Sequence, residues 1–81
     1  MDREQLAHEI ARVVRVSHED IRGDADLSAL GLSSLDVLRI VNDYRVRGVP
    51  VTYRDLAEET TLDAWWARIE RLLLMNPHLA A

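Results

Sequence analysis

The chain has 81 residues, enough for one domain with a thin core, so its stability is expected to be on the order of 3–5 kcal/mol. It contains no cysteine, which excludes disulfides and thiolate metal sites and fits a reducing compartment. Ten basic against fourteen acidic residues give a formal net charge of -4, which disfavours nucleic-acid binding because phosphates require a basic face.

The opening "MDREQLAHEI" is charged and lacks the apolar stretch of a signal peptide, and the longest apolar run, "RLLLMNP", is too short to span a bilayer. A cytoplasmic protein without a membrane partner is expected. Residues 2 to 16 read as a helix, with Leu6, Ile10, Val13 and Val14 on one stripe and Ala7 and Ala11 at its edge. Asp2 and Gln5 form a capping-box pattern at its start. Ser17 to Leu32 has no sustained period and holds Gly23, Gly31 and the acidic Glu19, Asp20, Asp24 and Asp26. It reads as a long loop with a short turn around residues 25–30, and a loop of that length in so small a domain is usually functional. A solvated surface is the simpler reading of its charges.

In "LGLSSLDVLRI", Ser33 and Asp36 repeat the capping-box pattern and place Ser34 at the first helical position. That helix should run to about Arg47 and stop at Gly48, with Pro50 preventing continuation. Each residue turns ~100°, so Val37, Ile40, Val41 and Tyr44 share the core side, while Leu35 and Leu38 fall off it. A short helical turn is expected around residues 53–57. "TTLDAWWARIERLLLM" gives the clearest helix, started by Thr60 and Asp63, ended by Pro77, and apolar along Leu62, Trp65, Trp66, Ile69, Leu72 and Leu73. The two tryptophans read as core and edge-of-core residues. Ile10, Val13, Val41, Trp66, Ile69 and Leu72 are expected to be buried. The fold class is therefore all-α, three main helices and one short one, within a single domain over 1–81.

Neither serine has the surroundings of a hydrolytic nucleophile. The second glycine of G-x-S-x-G is missing, and no base adjoins either hydroxyl. His8, His18 and His78 match no metal-ligand spacing and read as surface residues, so no metal site and no catalytic residue is expected. Ser34 makes sense instead as an acceptor that another enzyme modifies: a phosphate esterified at a helix N-terminus would be favoured by about 0.3–1 kcal/mol. On these residues alone, two serines that merely cap a helix are the better-supported alternative.

"DADLSALGLSSLDVLRIV" resembles the phosphopantetheine attachment region of acyl and peptidyl carrier proteins: an acidic loop, Leu-Gly-x-x-Ser-Leu, then a helix. "TTLDAWWARI" resembles the last helix of aryl carrier domains in siderophore and other nonribosomal pathways. The similarity runs from about Leu6 to Leu73. It implies a small four-helix bundle of acyl-carrier type, with 4′-phosphopantetheine covalently attached to Ser34. Ser33 stands where carriers usually have Asp or His. The resemblance further implies a carrier that shuttles an aryl or aminoacyl thioester in secondary metabolism, and the starting Met and short tail lead to the expectation of a free-standing protein, taken to be a monomer. Its partners would be a phosphopantetheinyl transferase, an adenylating enzyme and a condensing or tailoring enzyme, none requiring catalysis by this chain. Carried over by position, a docking patch would comprise Leu35, Leu38, Tyr53 and Ala57. Two alternatives stand beside this: an acyl carrier of a polyketide or fatty-acid pathway, and an unmodified helical adaptor.

Overall fold

The computed structural model describes residues 2–76. Four α-helices occur in it: α1 (Arg3–Val14), α2 (Ser34–Val46), α3 (Tyr53–Ala57) and α4 (Leu62–Met75), with a 3-10 turn at His18–Asp20 between the first two. No strand occurs among the described residues, which bears out the all-α expectation. No helix among them is long and apolar enough to cross a membrane.

Each helix starts where a short polar side chain can take up a free N–H. Asp2 accepts from the Gln5 backbone at 2.9 Å, and Gln5 Oε1 accepts in return from the Asp2 N–H at 3.2 Å. Ser33 and Asp36 do the same for α2, and Thr52 and Asp55 for α3. The last helix corrects the sequence reading. Thr61, not Thr60, caps α4, accepting from the Ala64 N–H at 3.1 Å. Thr60 is engaged elsewhere: its carbonyl accepts from Leu27 N–H at 2.8 Å and its hydroxyl donates to Asp26 at 3.2 Å. The first helix also stops earlier than its apolar stripe suggests, because Arg15 adopts a left-handed backbone (φ 61) and the Val16 N–H closes back onto the Ala11 carbonyl. Gly48 (φ 92) follows α2 as expected, and the anticipated stop at Pro77 lies outside the described residues.

Leu6, Ile10, Ile40, Tyr44, Leu56, Leu62, Trp65 and Ile69 form the centre of the core. Val37, Ile40, Val41 and Tyr44 are all buried, as the 100° geometry of α2 requires. Of the six residues expected to be buried, Ile10, Val41 and Ile69 are, whereas Val13, Trp66 and Leu72 are half-buried and pack against the core from its edge. The tryptophan at the centre is Trp65, whose indole N–H donates to the Leu56 carbonyl at 2.8 Å and so ties α4 to α3. Loop residues complete the core, with Leu27, Val49 and Val51 as fully buried as any helical side chain. Glu9 is the one buried charged residue among the described residues, paired with Arg47 at 2.8 Å across α1 and the end of α2. The guanidinium of Arg47 also lies 5.5 Å from the Tyr44 ring centroid. Burial, and then the Glu9 charge, push the Tyr44 phenol well above its ordinary value, so it stays neutral.

Candidate functional site at the start of helix two

The long loop is tied to α4 and to the residues just before it. Leu27 N–H reaches Thr60, and Asp63 N–H reaches the Gly23 carbonyl at 2.9 Å. A side chain on Gly23 would run into the Asp63 carboxylate, which Arg3 pairs with from α1, so glycine is the residue that permits this crossing. Ile21, Leu27 and Leu32 point into the core and fix the loop from beneath. Between Leu27 and Leu32 the chain makes one tight helical turn, closed by Leu30 N–H to Leu27 O and Leu32 N–H to Leu27 O. Gly31 leaves that turn at φ 105, a conformation side chains rarely adopt, although space around it is open. The acidic residues of the loop are all exposed as expected, and Asp26 is structural as well, accepting from Ser28 N–H and from the Thr60 hydroxyl.

The turn delivers Ser33 and Ser34 to the N-terminus of α2, and the two hydroxyls differ sharply. Ser33 Oγ accepts from the Asp36 N–H at 3.2 Å and donates to Asp36 Oδ2 at 2.9 Å, while the Ser33 N–H donates to the same oxygen at 2.9 Å. Those bonds from the Ser33 backbone and side chain hold the Asp36 carboxyl below its ordinary range. Ser34 is exposed and its side chain makes no hydrogen bond among the described residues. Its position at the positive end of a thirteen-residue helix suits an attached phosphate. No histidine bonds to either hydroxyl among the described residues, and the one carboxylate that does, Asp36, is bound to Ser33 in the capping box and not to Ser34. An exposed, unengaged hydroxyl beside an open glycine turn fits an appended arm.

The four residues of the expected docking patch are all at the surface, on α2 and α3, which pack together. Leu35 is 57% and Leu38 49% exposed, with Tyr53 at 39%. Sequence reasoning missed one grouping. His8 and His18 meet: the turn at Arg15 brings His18 back onto His8, their ring centroids 3.8 Å apart. His78 lies outside the described residues.

Comparison with known protein families matches residues 4–69 to the family described as "Phosphopantetheine attachment site". Among curated proteins, the chain is 34% identical over 62 residues to an isochorismatase of Bacillus subtilis (strain 168), covering 76% of this chain and 20% of that protein. It is 35% identical over 52 residues to pseudomonine synthase PmsE of Pseudomonas entomophila (strain L48), covering 64% of this chain and 8% of that protein. A third relative, phenyloxazoline synthase MbtB of Mycolicibacterium paratuberculosis (strain ATCC BAA-968 / K-10), is 29% identical over 62 residues, 76% of this chain and 5% of the synthase. The chain thus spans a fifth or less of the length of these relatives. No solved structure matches it significantly.

Proposed function

We propose, because the chain belongs to the phosphopantetheine attachment-site family, that it is an aryl or aminoacyl carrier whose arm is esterified to Ser34. The observation that carries the assignment is the contrast between two adjacent serines, one locked into the capping box and the other exposed and unengaged. When bound, the group supplies a terminal thiol on which an acyl cargo is held as a thioester. The chain's own residues do the positioning. Ser33 and Asp36 fix the first turn of α2, Leu27 and Leu32 fix the loop before it, and the helix end favours the phosphate. Tethering raises the cargo's effective concentration at each partner, so one small domain can serve several enzymes in turn. With no cysteine in the chain, no internal thiol competes for the acyl group.

The aryl reading rests on the relatives, one of which is by name a phenyloxazoline synthase, and a phenyl group is an aryl group. The partners proposed are a phosphopantetheinyl transferase, an adenylating enzyme and a condensing or tailoring enzyme. The test is intact mass. Incubation with a broad-specificity transferase and coenzyme A should add one phosphopantetheine, and adenylating enzymes supplied with aryl acids should then load it. A protein that stays apo under those conditions would leave the helical adaptor as the better reading.

Docking is proposed at Leu35, Leu38, Tyr53 and Ala57. Leu38→Asp should leave helical circular dichroism and melting temperature nearly unchanged, since the side chain already meets water. Thioester transfer with at least one partner should slow about tenfold or more, because the new carboxylate must be desolvated in the interface. Parental kinetics with every partner would remove Leu38 from the patch.

A further inference from the structure

Away from the proposed attachment serine, the left-handed turn at Arg15 folds the 3-10 segment back along α1 and brings His18 to two side chains of that helix. Glu4 and His8 lie one turn apart on the same face of α1, and His18 approaches both. Glu4 Oε2 is 3.9 Å from His8 Nε2 and 3.8 Å from His18 Nε2. One ligand atom from each of the three residues lies within 4.8 Å of the other two. We propose that Glu4, His8 and His18 form a site for a borderline divalent transition-metal ion of the Zn2+ class.

Two imidazole nitrogens and one carboxylate oxygen are a donor set suited to zinc, copper or nickel, and poorly suited to magnesium or calcium, which take oxygen ligands. A tetrahedral ion about 2.0–2.2 Å from each donor needs donors about 3.3–3.5 Å apart. The two separations from Glu4 exceed that by roughly half an ångström, which rotation about χ angles can close. The side chains are free to make it: Glu4 is 77% and His8 58% exposed, so neither has to drag the core with it. His18 is more enclosed, at 31%, and serves as the fixed member. Three protein ligands leave a fourth position for water. Neither imidazole makes a hydrogen bond among the described residues that would hold its second nitrogen, and such outer partners are worth ten- to a hundredfold in affinity. The dissociation constant should therefore be micromolar, about 1–100 μM, and not nanomolar. Binding would staple the 3-10 turn to α1 in a chain that has no disulfide to do so.

The test titrates the whole chain, without an affinity tag, with Zn2+ against a chromophoric chelator. One ion per chain is expected. His8→Gln and His18→Gln should each weaken binding about tenfold or more, His78→Gln should leave it unchanged, and excess Mg2+ should not compete. On the parent protein, nuclear magnetic resonance should show the ring signals of His8 and His18 moving together with Zn2+, a reading that needs no variant to fold. Binding that survives His18→Gln, binding that depends on His78, or unmoved ring signals would each overturn the site.

Discussion

Ser34→Ala is expected to remain entirely apo when the transferase and coenzyme A are supplied, whereas Ser33→Ala is expected to be loaded. The two hydroxyls are neighbours, yet their chemistry is separated by the capping box. Ser33 Oγ already donates to Asp36 and accepts from its N–H, so esterifying it would abolish the first bond, weaken the second and loosen the first turn of α2. Ser34 has no such bond to lose and faces solvent at the first helical position. Under the proposed function neither serine needs a base from this chain, because activation would come from the transferase. Removing Ser33 should cost about 1 kcal/mol of stability through the lost cap, without touching the acceptor. Intact mass reads both results, and peptide mapping of the loaded parent protein identifies the serine. An arm mapped to Ser33 would shift the proposed register by one residue.

What the sequence made legible divides along a physical line. Patterns closed within three or four residues were readable. The Asp2–Gln5 and Ser33–Asp36 boxes, the stop at Gly48 and the inward face of α2 depend on local geometry and are found as expected. Features decided between segments were not. Thr60 and Thr61 are equally good caps on paper, and the choice falls to Thr61 only because Thr60 is committed to Leu27 and Asp26 in the loop. The meeting of His8 and His18 depends on a left-handed arginine, a conformation that no glycine or asparagine announced. Leu27, Val49 and Val51 carry no period, so their burial is visible only once the helices that cover them are in place. The Ser34 hydroxyl sits in the first class, which is why the candidate attachment point is readable from a short stretch. The salt bridge between Glu9 and Arg47 belongs to the second.

The adjacent tryptophans give the sharpest test of the core. Trp65→Ala should unfold the domain, while Trp66→Ala should leave it folded with a lower midpoint. Periodicity alone favours Trp66 as the central residue, but α4 is rotated so that Trp65 is fully buried and Trp66 lies at the core's edge. Truncating a buried tryptophan costs about 3–5 kcal/mol through lost transfer energy and the cavity left behind. That alone matches the whole stability expected of a domain this size, on the order of 3–5 kcal/mol. Trp65→Ala adds a second loss, because the Leu56 carbonyl that accepted the indole N–H is left without its partner, and an orphaned buried acceptor costs about 1–3 kcal/mol. Trp65→Phe separates the two contributions by retaining most of the ring while removing the donor. It should destabilise the domain by less than the alanine change and leave it folded at low temperature. Ile69→Ala, one turn further along the same face and equally buried, should cost about 2–5 kcal/mol from lost transfer energy and the cavity together, with no hydrogen bond to lose. Chemical denaturation followed by circular dichroism ranks the four variants. The expected order of damage is Trp65→Ala, Ile69→Ala, then Trp65→Phe, with Trp66→Ala below Ile69→Ala. A Trp66→Ala domain that unfolds while Trp65→Ala holds would show that α4 presents its other face to the core.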